Sequence, residues 1–73
     1  MATEGWSYTL ERQPRAPEGT RWELLLRTTE PEWAVRMGER EVVASEHYRY
    51  RVIQHGPTSR HRGSTIWEWR PDS

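Results

Sequence analysis

The sequence predicts a mainly β fold: a small antiparallel sheet of four to five strands, curled into a partly open barrel or packed as a half-sandwich, with a short helix over residues 30–37 as the one helical option. Three observations lead there. Strand-length stretches alternate apolar and polar side chains with a period of two, most clearly in 47–55 and 64–70. Proline and glycine cluster between those stretches, in QPRAPEG at 13–19 and around Gly56-Pro57. The hydrophobic content is only 33%, but five Trp and three Tyr make the apolar residues large enough for a thin two-layer core.

From the N-terminus, Met1–Glu4 reads as a mobile leader and 71–73 as a tail, with a single small domain over 1–73. Gly5–Glu11 reads as a strand with Trp6, Tyr8 and Leu10 on one face. Gln13–Gly19 is a loop. Thr20–Thr28 reads as a second strand that turns Trp22, Leu24 and Leu26 to the core and Arg21, Glu23 and Arg27 to solvent. Leu25 breaks that alternation and is a candidate exposed apolar contact.

Residues 29–46 admit two readings. Thr29-Glu30-Pro31-Glu32 fits a capping box with Pro in the first turn, which would start a short helix ending at Gly38 and stack Trp33 over Met37. The preferred reading is a hairpin turning at Gly38-Glu39, which pairs Val35 with Val42 and Arg36 with Glu41. Ala44–Glu46 then bends into the last hairpin.

That last hairpin, within residues 46–70, is the strongest local signal. Tyr48, Tyr50 and Val52 share a face; His47, Arg49, Arg51, Ile53 and His55 share the other. Pairing His55 with Ser64 sets Tyr50 opposite Trp69, Val52 opposite Trp67, Arg51 opposite Glu68 and Ile53 opposite Ile66. A slip of one residue would set aromatics against charges.

Composition excludes several classes of function. There is no cysteine, hence no disulfide and no thiolate-bound metal. All eleven basic residues are Arg, so no lysine is present for a Schiff base or a P-loop phosphate contact. No apolar run approaches a membrane span and no signal pattern is present; the expected location is cytoplasmic. Net charge is zero but uneven: residues 1–46 hold nine Glu against six Arg, while 47–73 hold five Arg against one Glu and one Asp. A neutral chain lacks the global field of a non-specific nucleic-acid binder, yet it can present a local basic face.

The candidate partner- or anion-binding residues are Arg49, Arg51, His55, Arg60, His61, Arg62 and Arg70. They comprise the guanidinium forks and imidazoles of the basic hairpin and its loop GPTSRHRG. Leu25 and Trp33 are the candidate apolar contacts. The aromatic ladder of Tyr48, Tyr50, Trp67 and Trp69 resembles a base-stacking platform in composition, but Trp6, Tyr8 and Trp22 need core partners and these are the available ones. His47, His55 and His61 lack a ligand spacing, so neither metal nor cofactor is expected. No nucleophile context or local His–acid pair supports an enzyme. The expected function is therefore a small non-enzymatic regulator that binds another protein. By size and character it suits a phage-type or bacterial inhibitor that docks on a host machine such as RNA polymerase. The alternatives are a nucleic-acid-binding β module that uses the basic hairpin, and a self-assembling structural subunit in which a homodimer joins edge strands.

Overall fold

The structure, a computed structural model, describes residues 5–14, 21–57 and 63–71. It is mainly β. Four strands and one helix follow in the order β1 (Ser7–Pro14), β2 (Glu23–Thr28), α1 (Pro31–Ala44), β3 (Tyr48–His55) and β4 (Ser64–Trp69). The sheet has the order β2-β1-β3-β4, and every neighbouring pair is antiparallel. β2 and β4 are edges that do not meet, so the sheet is open and does not close into a barrel. The second layer is the helix, which lies over β1 and β3 and touches β2.

The helix replaces the expected hairpin at residues 32–42, and the topology gives the reason. β2 and β3 both run antiparallel to β1, one on each side of it, so they run parallel to each other. The chain leaving β2 must travel back along the sheet before β3 can begin. A tight hairpin returns to its starting point and cannot do this; a helix of 14 residues, about 21 Å long, can. Val35 and Val42 are thus not cross-strand partners but positions on one helix.

Gly38 is neither a turn nor a helix end. It sits inside α1 and is buried with Ala34, one turn earlier on the same face. A Cβ at Gly38 would lie 2.6 Å from Cζ3 of Trp67 and 3.1 Å from Cδ1 of Leu10. These two small residues therefore let the helix backbone approach the large side chains of the sheet. The core consists of Tyr8, Leu10, Ala34 and Val52, with Leu25, Leu26, Val35, Met37 and Trp67 packed around it.

Both helix ends use contacts from outside the helix. The expected capping box is not formed: Glu30 is the N-cap and makes no side-chain capping bond, while Pro31 occupies the first turn, where a missing N–H is harmless. The Glu30 N–H donates instead to Thr28 Oγ1 at 3.1 Å. At the other end the Ser45 N–H donates to the Glu41 carbonyl at 2.8 Å. The Tyr50 hydroxyl lies 2.8 Å from the Ser45 carbonyl and 3.2 Å from that of Glu41, so its one proton is shared between two helix-end acceptors.

The strands correct the expected boundaries and register. β1 continues to Pro14, beyond the expected end at Glu11. β2 starts at Glu23, not Thr20. Leu10 faces Leu26 and Glu11 faces Leu24, which leaves Leu25 as the extra residue of a β-bulge. The bulge explains why Leu25 breaks the alternation. Leu25 and Leu26 both pack on the core, while Leu24, expected inside, is 58% exposed. In the last hairpin the pairs Tyr50–Trp69, Arg51–Glu68 and Val52–Trp67 form as expected. A second bulge then makes Ile66 the extra residue. Ile53 pairs with Thr65 and Gln54 with Ser64, in place of Ile53 with Ile66 and His55 with Ser64.

Two stability outcomes follow. Alanine is the better helix former by about 1 kcal/mol, yet Gly38→Ala should lower the stability to urea by about 1–3 kcal/mol, because the added methyl meets the Trp67 ring. Burial, aided by the charge of Glu41, raises the Tyr50 pKa above its ordinary value. The folded state therefore holds the phenolic proton more tightly than the unfolded chain does. The stability from Tyr50 is complete below about pH 10 and is lost as pH rises through the raised value. Tyr50→Phe should lose about 0.5–1.5 kcal/mol at neutral pH and show a shallower alkaline fall in melting temperature.

Candidate binding face

Because α1 covers one side of the sheet, the other side has no layer of secondary structure over it among the described residues. Its content follows from strand alternation. Tyr8 and Leu10 point to the helix, so Thr9 and Glu11 point away; Tyr50 and Val52 point to the helix, so Arg49, Arg51, Ile53 and His55 point away. The bulge in β2 adds Leu24 to this side, opposite Glu11.

These residues form one connected polar system. Arg51 lies between Glu11 and Trp22: its Nε and terminal nitrogen are each 2.8 Å from Glu11 Oε1, and its guanidinium carbon sits 3.9 Å from the centre of the Trp22 ring. The Thr9 hydroxyl lies 3.2 Å from Glu11 Oε2 and 3.0 Å from His55 Nε2. The Thr9 hydroxyl donates to Glu11 and so bridges the carboxylate to the imidazole of His55. Ile53 is buried beside this system, and a Cβ at Gly63 would lie 2.7 Å from its Cγ2. The backbone at Gly63 thus closes over Ile53.

The sequence candidates fall into three groups. Arg49, Arg51 and His55 share the uncovered side. Arg51 and His55 are half-buried and engaged, whereas Arg49 is exposed and forms no ion pair with a described residue. Arg70 is exposed, with Nε 2.8 Å from Glu68 Oε2. Arg60, His61 and Arg62 lie outside the described residues. Of the apolar candidates, Leu25 is corrected: it is half-buried on the core, and the bulge hands its expected exposure to Leu24. Trp33 is exposed, on the helix. It borders an open depression of about 510 Å³ together with Thr29, Glu30, Pro31, Glu32 and Arg36.

The aromatic ladder lies on the helix side. Tyr50 is fully buried, with the rings of Tyr48 and Trp69 each 6.2 Å from its own. Arg12 covers the Tyr48 ring at 4.5 Å and is held by Glu23. Thr9 and Glu11 fall, as the alternation of the first strand predicts, on the face opposite Tyr8 and Leu10, but their contacts to His55 and Arg51 escaped sequence reasoning, and Trp22 and Leu24 were expected inside. Trp22 and Leu24 follow a period-two pattern that points inward until the bulge reverses it, and the Glu11–Arg51 contact joins strands far apart in the chain.

Among the described residues no group of three His, Asp or Glu is placed to hold a metal ion, and no helix is long and apolar enough to cross a membrane. Comparison with protein-family models, curated proteins and solved structures finds no match to the chain. The functional reading therefore rests on geometry and chemistry.

The two ion pairs near this face differ in burial. The side chains of Arg51 and Glu11 are 30% and 18% exposed, against 68% and 38% for Arg70 and Glu68. A double-mutant cycle of Glu11→Gln with Arg51→Gln should give a coupling of about 1 kcal/mol or more. The cycle of Glu68→Gln with Arg70→Gln should stay below about 0.5 kcal/mol. Urea denaturation measures both.

Proposed function

We propose that the protein is a non-enzymatic binding module that grips another protein through the uncovered side of its sheet. The observation that carries the reading is the Arg51–Trp22–Glu11 arrangement beside the exposed Leu24. Trp and Arg dominate the energetic centres of protein interfaces. Here a Trp ring and a carboxylate already hold the arginine on the face of a sheet, so little side-chain freedom is left to lose on docking. An apolar residue next to such a polar cluster gives the mixture of anchor and rim that a protein interface uses.

The nucleic-acid reading needs its arginines free and continuous. Arg51 and Arg70 are each engaged by a carboxylate of the same face, which lowers the positive potential a phosphate backbone would meet. The finer role, a phage-type or bacterial regulator that occupies a host machine such as RNA polymerase, belongs to the same proposal. It rests on the small size and the docking face together.

Affinity capture from host lysate, with nuclease present, tests the reading. Wild-type protein should retain a stoichiometric protein partner. Leu24→Glu, which leaves the core intact, should lose it at least tenfold, and Trp33→Ala on the helix side should keep it. Loss with Trp33→Ala and retention with Leu24→Glu would move the docking surface to the helix. Recovery of nucleic acid alone before nuclease treatment would reject the protein-binding reading.

A further inference from the structure

The register of the last hairpin holds a charge conflict. Tyr50 faces Trp69 and Arg51 faces Glu68; Arg49 and Arg70 are the next residues beyond the last ladder pair, Arg70 lying just past the end of β4, so the continued register brings them side by side. Like charges directly opposite on one face of a sheet destabilise it. The described neighbours do not relieve Arg49. Across β1 it faces the neutral Gln13, and it forms no ion pair with a described residue. Arg70 uses its Nε on Glu68, and Arg51 uses Nε and a terminal nitrogen on Glu11. This corner thus gathers three guanidinium groups and two carboxylates, and both carboxylates are engaged. Among the described residues one positive charge is left over, at Arg49.

We propose that Arg49 and Arg70 form a two-pronged clamp for a carboxylate side chain on an acidic segment of the protein partner; this deepens the docking reading above and rests on it. A guanidinium presents parallel N–H donors that match the two oxygens of a carboxylate. A carboxylate between the two arginines cancels the conflict that the isolated sheet carries, so the site is complete only when occupied. The fixed negative charges of Glu11 and Glu68 flank the clamp.

The test is fluorescence anisotropy at one fixed, low ionic strength with two labelled probes: a hexaglutamate peptide and a twelve-residue oligothymidylate. Wild-type protein should bind the peptide, and Arg49→Gln/Arg70→Gln should weaken it at least tenfold. The control Arg40→Gln, an exposed helix arginine, should leave it unchanged. The double variant should unfold at about the urea concentration of wild type, because the repulsion and the exposed Arg70–Glu68 pair are removed together. Peptide binding that ignores the double substitution, or falls equally with Arg40→Gln, would overturn the clamp. So would an oligothymidylate that binds more tightly than the peptide and depends on the same two arginines. Lysate capture separates the two levels of the reading. A protein partner held equally well by wild type and double variant rejects the clamp and keeps the docking face, whereas capture of no partner by wild type rejects the docking reading itself.

Discussion

The placement of β2 and β3 on opposite sides of β1, pointing the same way, dictates most of the remaining structure. A chain that must recross the whole sheet needs an element of matching length, and a 14-residue helix supplies it. Crossing over β1 presses the helix onto Leu10 and its neighbours, which selects Ala34 and Gly38 for the contact face and leaves Trp67 to cover the glycine. One helix is enough for one side only. The other side is then free to carry the polar network of Thr9, Glu11, Arg51 and His55.

Much of the fold was legible wherever local chemistry decides. Period-two alternation located β3 and β4 and gave three correct cross-strand pairs, because a slip would have opposed aromatics to charges. Reading failed where a distant partner decides. Local signals left the helix undecided: Pro31 in a first turn and Trp33 over Met37 favour it, Val35, Val42 and Val43 favour strands, Gly38 suggests a turn, and the need to recross the sheet decides. The bulges at Leu25 and Ile66 are also tertiary, since each resets which side chains face the helix. The uncovered face was half legible. Arg49, Arg51 and His55 were found from alternation within β3, while their partners Thr9, Glu11 and Trp22 sit on elements whose pairing the sequence does not announce.

The two layers hold their polar groups in opposite ways. On the helix side a hydroxyl reaches out of the core to finish a helix end, and the aromatic rings around it exclude water. On the uncovered side charge meets charge across neighbouring strands at partial exposure, where such a pair adds modest stability and fixes geometry well. The first arrangement builds the fold and the second furnishes a surface. No buried side-chain polar atom among the described residues is left without a partner, so neither arrangement stores strain from unpaired groups.

The central ladder of the sheet also bears on how the chain reaches this state. Each hairpin, β1–β2 and β3–β4, joins neighbours in sequence, but the β1–β3 ladder runs from Pro14–Tyr48 to Ser7–His55 and encloses β2 and the whole helix between its strands. The two hairpins can form early and locally. The seam that unites them must wait for the largest loop closure in the molecule. A protein built this way has its slow step at its centre. Substitutions along Leu10–Val52 should therefore act on the folding rate.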